Sequence, residues 1–251
     1  MDKRILLLLV TAMAFTSLAT VSRARADETP AAPASTNGLH NESEAGIVIT
    51  TGNADGKNIN LSQKNTYGFD QNLFRINGKY LHASTNGVDT ASYWTLGVRY
   101  ERELLDQLSA FLGETSEGDP FSGYLQRYST DVGGKYFIFK EDLFVWDFEA
   151  GYRYTIENRF TGQVDQNFLR FYTEANRSWT KTFSTKLAVE YLPNLTVSTD
   201  YQLNTEISAS AALNDIMALK VGYLIKYRNL PPPPAVYNTD SQFTTALVAK
   251  F

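Results

Sequence analysis

Period-two alternation recurs from residue 44 to the last residue and constrains the fold more than any other feature of the chain. In residues 241–251, Phe243, Thr245, Leu247, Ala249 and Phe251 share one face, and Gln242, Thr244, Ala246, Val248 and Lys250 share the other. Successive side chains of a strand point to opposite sides, so this is a β-strand with one apolar face. The same pattern runs through residues 44–51, 57–67, 73–82, 93–102, 107–113, 126–138, 143–154, 166–176, 181–191, 201–213 and 217–227. The clearest case sets Phe144, Trp146, Phe148, Ala150, Tyr152 and Tyr154 against Val145, Asp147, Glu149, Gly151 and Arg153. The count is about twelve, an even number, as a single-chain bacterial barrel requires.

Residues 1–26 have a basic start (Lys3, Arg4), an apolar run over 5–14 and a small-residue site at Ala24-Arg25-Ala26. These are the three parts of a secretory signal peptide, with cleavage expected after Ala26. The apolar run is too short to anchor in a bilayer, which takes about 20 residues. No cysteine is present, which removes disulfides, lipid attachment at the cleavage site and thiol-based metal or redox chemistry. The leader carries four basic residues against Asp2, so its removal makes a chain of net charge −4 more acidic still. That balance argues against nucleic acid, which calls for a basic surface. Residues 27–40, rich in Pro, Ala and Ser, read as a flexible periplasmic leader, and 41–251 as one barrel.

Short turns are expected near residues 69–71, 103–106, 140–142, 178–180 and 214–215. Longer or irregular links are expected at 84–90, 114–124, 157–165, 193–200 and 229–240. Such alternation of tight periplasmic turns with longer outer loops is the habit of an outer-membrane barrel. The hairpin over 53–56, with its Asp55-Gly56 pair, is tight on the loop side.

Periodicity alone does not separate a soluble barrel from a membrane one, but composition does. The polar faces hold both charges and glycine, as in Arg127/Asp131/Lys135 and Lys186/Glu190. The apolar faces carry aromatics near both strand ends, such as Phe144 with Tyr154 and Tyr223 with Tyr227, which suits interfacial girdles. The expected fold is therefore all-β: a transmembrane antiparallel up-and-down β-barrel of about 12 strands. It is expected as a monomer in the outer membrane of a Gram-negative envelope, with both termini in the periplasm.

Several short stretches resemble a known family. They are Thr51-Gly52-Asn53-Ala54-Asp55, Gly151-Tyr152-Arg153-Tyr154, Tyr191-Leu192-Pro193 and Thr205-Glu206-Ile207. The strongest is residues 219–227 followed by Asn229-Leu230-Pro231-Pro232-Pro233. On these the chain resembles the YdiY-like group of salt-induced outer-membrane proteins, whose domain has no assigned function. Pro234 and Ala235-Val236-Tyr237 stand where relatives are rich in lysine, so no basic loop carries over. The resemblance implies an outer-membrane barrel and brings no activity, ligand or catalytic residue with it.

Candidate chemistry is sparse. His82, near Ser84 and Asn86 at the outer end of its strand, evokes a lipid-facing hydrolase of phospholipase type. A nucleophile needs its base within hydrogen-bond reach and an orienting partner, and shared membership of a loop edge does not supply them. No catalytic residue is assigned and no enzyme is expected. No His/Asp/Glu cluster has metal-ligand spacing, so no metal or cofactor is expected, and Glu114, Glu117 and Asp119 read as solvated loop acids.

The lumen wall is the better candidate. Strand parity places Lys64, Arg75, Lys79, Arg99, Arg127, Lys135, Arg153, Arg170, Lys186, Lys220, Lys226 and Lys250 inward. Against them stand Glu101, Asp131, Asp147, Glu149, Glu174, Glu190 and Glu206, which makes the wall net basic. Either these charges interlock and close the lumen, or Arg75, Arg99, Arg127, Arg153 and Arg170, with Lys186 and Lys220, line a narrow anion path. Envelope structure or passive narrow-pore permeation follows from these two readings, and a loop-mediated binding or adhesion scaffold is a third possibility. Phe243, Leu247 and Phe251 form the outward terminal signature through which the barrel assembly machinery is expected to engage the chain. Lipid and lipopolysaccharide are the expected surroundings.

Overall fold

The computed structural model describes residues 37–50 and 56–250, the side chains of 48–50 excepted. The stretches read from the sequence as a signal peptide, most of a leader and the tight hairpin over 53–56, together with Phe251, lie outside the described residues. Twelve antiparallel strands run in chain order: β1 (Gly38–Thr50), β2 (Gly56–Phe69), β3 (Asn72–Thr85), β4 (Val88–Leu105), β5 (Leu108–Asp119), β6 (Tyr124–Glu141), β7 (Phe144–Arg159), β8 (Gly162–Ser178), β9 (Phe183–Pro193), β10 (Tyr201–Ala212), β11 (Met217–Arg228) and β12 (Thr239–Lys250). Each pairs with its neighbour in sequence, and β12 returns to β1 to close the barrel. The closing register runs from Glu42↔Lys250 to Ala45↔Leu247, which leaves the sheet without an edge.

The twelve expected strands are all present, and several are longer than expected. β1 begins at Gly38, so Leu39 and His40 belong to the barrel rather than to a leader ending at residue 40. The links expected to be irregular over 84–90 and 157–165 are two-residue turns between extended strands. The first is Asn86-Gly87, with φ of 51° and 78°. Two successive residues at positive φ match the right-handed twist of the flanking strands, which is why Asn-Gly closes hairpins. β5 likewise continues to Asp119, and a short 3-10 turn (Pro120–Ser122) joins it to β6. Among the described residues, only the links over 194–200 and 229–238 keep the length of true loops.

Polarity is inverted relative to a soluble protein. The large apolar side chains exposed on the outside include Ile76, Leu96, Val98, Leu112, Val132, Leu187, Ile207 and Phe243. The buried groups include Glu101, Lys135, Asp147, Glu149, Glu157 and Arg170. An exterior this apolar has lipid as its natural solvent. Aromatics ring both ends of that exterior. Tyr67, Phe69, Phe74 and Tyr100 form a chain of ring contacts near the end where β1 begins and β12 finishes, as do Phe139, Phe144 and Trp146. Tyr191, Tyr201 and Tyr227 do so near the opposite, loop end. Eight residues separate Trp146 from Tyr154 on β7, which at ~3.4 Å per residue and a tilt of ~40° is about 21 Å along the normal. That fits the apolar band of about 25 Å expected of such barrels. The protein is a transmembrane β-barrel.

Candidate functional site: a charge-braced lumen

Register fixes which residues share the lumen, because directly opposed residues on paired strands lie on one face. Lys64 faces Asn77, Arg75 faces Arg99, Asp131 faces Arg153, Lys135 faces Glu149, and Gly151 faces Arg170. Phe243 and Leu247 point outward, and Phe243 is 66% exposed.

The middle of the lumen is filled from the β4–β9 wall. Arg99 donates two bonds to Glu149, Nη2 to Oε1 at 2.7 Å and Nη1 to Oε2 at 3.1 Å, and a third to Glu101 at 3.1 Å. Arg170 Nη1 donates to Glu149 Oε2 at 2.6 Å and its Nε to Glu190 at 2.7 Å. Arg153 holds Asp131 through Nε and Nη2 at 2.6 and 2.7 Å, and Lys135 lies 3.5 Å from Glu101 and 3.6 Å from Glu149. Planar guanidinium against carboxylate is the strongest neutralising geometry that side chains offer. The Phe111 ring supports the Arg99 guanidinium, which sits 3.9 Å from its centroid. Gly133 makes room for that ring, since a Cβ there would come 2.8 Å from Phe111 and 2.5 Å from the Ala150 carbonyl oxygen.

A second layer lies toward the loop end. Glu157 is wholly buried and accepts from three arginines: Arg127 at 2.9 and 3.0 Å, Arg159 at 2.5 Å and Arg228 at 3.2 and 3.3 Å. Arg127 also binds Glu117 at 3.0 Å and lies 3.7 Å over the Tyr124 ring. Arg228 reaches from β11 to Asp200 at 3.3 Å, so this layer bridges distant parts of the wall. Lys226 also crosses from β11, and its ammonium stands 4.2 Å from the centre of the Tyr93 ring on β4.

Between these layers and the loops lies a chamber of about 380 Å³. Asn77 and Thr95 line its deep end, and Pro231, Ala235 and Tyr237 line its loop end. Two contacts tie neighbouring segments together at the loop end. Gly123, at φ 89°, packs so tightly on Pro232 that a Cβ would come 2.2 Å from its carbonyl oxygen. The Ser122 hydroxyl lies 3.4 Å from Asp240.

The residues singled out from the sequence now divide. Arg99, Arg127, Arg153 and Arg170 are all held by carboxylates in the braced wall. Lys186 is 3.0 Å from Glu206, and Lys220 is 2.6 Å from Glu44. Arg75 alone of that set has no carboxylate within 4.0 Å among the described residues, and Lys64, Lys79 and Lys226 share that condition. The basic surplus is therefore local, concentrated on β2, β3 and β11. The partners that sequence reasoning missed, Glu117 and Glu157, sit where the strands run on past the expected loop boundaries. For Glu157 the available signal was the polar series Arg153, Thr155, Glu157, Arg159, which runs on after the outward apolar residues end at Ile156. The three acids read as one loop cluster part company: Glu114 faces outward to bond Thr130, Glu117 faces the lumen, and Asp119 caps the 3-10 turn.

His82 lies on the outward face with Nε2 3.5 Å from Asp89, and among the described residues no hydroxyl donates to it. Ser84, two residues further along β3, faces Asp89 and makes no hydrogen bond to His82.

The chain is 23% identical over 207 residues to the uncharacterized protein YdiY of Escherichia coli (strain K12), across 81% of this chain and 79% of that one. Among solved structures, an outer membrane channel from Pseudomonas putida F1 superposes with a TM-score of 0.53 at 11% identity, covering 90% of this chain and 100% of the channel. The NanC porin does so with a TM-score of 0.51 at 11% identity, covering 84% and 98%. These likenesses are of fold, the closed up-and-down barrel. The family model matches residues 43–251, from within β1 to the C-terminal residue, and on that match the chain belongs to the family described as "Protein of unknown function, DUF481".

Proposed function

We propose that this protein is an outer-membrane barrel that admits small solutes passively through a narrow lumen with a weak preference for anions. It reaches that membrane by export with cleavage after Ala26, and the assembly machinery engages its outward terminal pattern at Phe243, Leu247 and Phe251. The observation that carries the reading is the asymmetry of the lumen charge. On the β4–β9 wall arginines and carboxylates neutralise one another, so they brace the barrel and narrow it without favouring either sign of ion. On β2, β3 and β11 the cations Lys64, Arg75, Lys79 and Lys226 have no carboxylate within 4.0 Å among the described residues. Uncompensated charge on a pore wall is what selects ions by sign. The test is planar-bilayer recording of the pure folded protein. Small, discrete conductance steps are expected; a silent bilayer from correctly folded protein would leave envelope structure as its role. We assign no catalytic residue, since His82 has an acid partner in Asp89 but no hydroxyl bonded to it.

A further inference from the structure

The pairing habit of this lumen makes its exceptions informative. Lys135, Lys140, Lys186, Lys220 and Lys250 each have a carboxylate within 4.0 Å, and so do Arg99, Arg127, Arg153, Arg159, Arg170 and Arg228. Against that background three unpaired cations adjoin one another. Lys64 on β2 faces Asn77 on β3, and Arg75 and Lys79 are the next residues of the same face on either side of Asn77. Diagonal neighbours across a strand pair stand about 7–8 Å apart at their Cα atoms, within the span that these long side chains close. Like charges placed so near repel unless something neutralises them, and a charge inside a protein is costly when bare.

The carboxylates nearest this cluster are already engaged. Glu42, opposite Lys64, is the partner of Lys250 at 3.8 Å. Glu44 is held by Lys220 and Glu206 by Lys186. Glu174 accepts from Tyr172 and from Asn176 at 2.8 Å, and it lies 3.9 Å from Lys186. Arg99, which faces Arg75, adds no acid because Glu149 and Glu101 hold it.

Two further features point toward a ligand. The Arg75 Nε is buried and has no hydrogen-bond partner. The Asn77 carboxamide makes no hydrogen bond among the described residues, and it lies in the space that Gly97 leaves open, where a Cβ would come 2.9 Å from its Oδ1 and 3.0 Å from its Nδ2. Asn77 also lines the deep end of the chamber, so the cluster adjoins an open volume.

We infer that Lys64, Arg75, Lys79 and the Asn77 amide form a binding site for a multivalent oxyanion of the phosphate or sulfate class. Two ammonium groups, one guanidinium and one carboxamide offer donors on several sides, which suits a compact anion with several acceptor oxygens. The site deepens the reading of an anion-preferring lumen and rests on it, but binding and conduction are measured separately. A barrel in micelles binds whether or not it conducts, and a silent bilayer would leave the binding result standing.

The probe is inorganic phosphate against chloride at matched ionic strength, with full-length mature barrel in detergent micelles. Heat-modifiable gel mobility reports the folded fraction. Phosphate is expected to raise the unfolding midpoint saturably, and at ten times its dissociation constant it shifts the folding equilibrium about 11-fold. Arg75→Gln and Lys79→Gln, which relieve like-charge repulsion, are each expected to keep the barrel folded and weaken phosphate binding about tenfold or more. Lys57→Gln, on the exposed outer side of β2, is expected to bind as the unaltered protein does. An equal rise with chloride would show mere screening and overturn the site. A phosphate effect that survives both Arg75→Gln and Lys79→Gln would overturn it as well.

Discussion

Replacing Glu149 with Gln tests whether the braced wall is desolvated or merely wet. Glu149 is 2% exposed and accepts three bonds, two from Arg99 and one from Arg170, with Lys135 at 3.6 Å. Removing one partner of a buried pair costs about 3–5 kcal/mol, because the other charge is left uncompensated. Two circumstances place this case at the lower end. Arg99 retains Glu101 and Arg170 retains Glu190, and glutamine still presents one acceptor oxygen. A loss of about 3 kcal/mol is therefore expected, roughly two decades in the folding equilibrium. Urea titration of the barrel in lipid vesicles, followed by tryptophan fluorescence, reads it directly. Adding Arg99→Gln to Glu149→Gln removes one of the stranded cations, so the double variant should be less destabilised than the sum of the single changes by about 1–3 kcal/mol. A single-variant loss below about 1 kcal/mol, the range of exposed pairs, would refute the idea that these charges are out of water.

Three other outcomes follow from the same geometry. Val132→Lys, at the outward midpoint of β6, should cost about 2–4 kcal/mol in vesicle folding titrations, whereas the inward Thr244→Lys, opposite Gly222, should cost far less. Gly133→Val should destabilise by about 1–3 kcal/mol in the same assay, since its Cβ would meet the Ala150 carbonyl and displace the Phe111 ring from beneath Arg99. Gly123→Ala, whose Cβ would meet the Pro232 carbonyl at a backbone φ that strains alanine, should cost about 1–3 kcal/mol in the urea titration and, by displacing Pro232, enlarge the conductance step.

How much of this was legible in the chain depends on how each feature is encoded. The strand number and the two-residue period of the wall were readable, because a barrel wall imposes one period from end to end and lipid enforces it on the outer face. Strand length was harder to read. Past the apolar band both faces of a strand meet polar surroundings, so the alternation that marks β7 through Tyr154 fades although the strand runs on to Arg159. This explains the error in the lumen charge. Glu117 and Glu157 were assigned to loops, and without them Arg127 looked unpaired. The register was needed to show that Arg127 faces Glu157 and Glu117 rather than open lumen. Asn86-Gly87 was overlooked within a stretch read as irregular, although that dipeptide carries its own turn signal. The pairing of distant residues, Arg228 with Glu157 or Lys220 with Glu44, has no local trace in the sequence because it arises only when the sheet closes.

On this reading the unpaired cations of β2, β3 and β11, and not the arginines of the braced wall, set the charge preference of the lumen. The reversal potential across a planar bilayer under a potassium chloride gradient measures that preference directly. A weakly anion-selective value is expected, one that moves toward neutral in the Arg75→Gln/Lys79→Gln double variant and stays anion-selective in Arg153→Gln. A cation-selective potential, or one that Arg153→Gln abolishes and the double variant leaves unchanged, would contradict it.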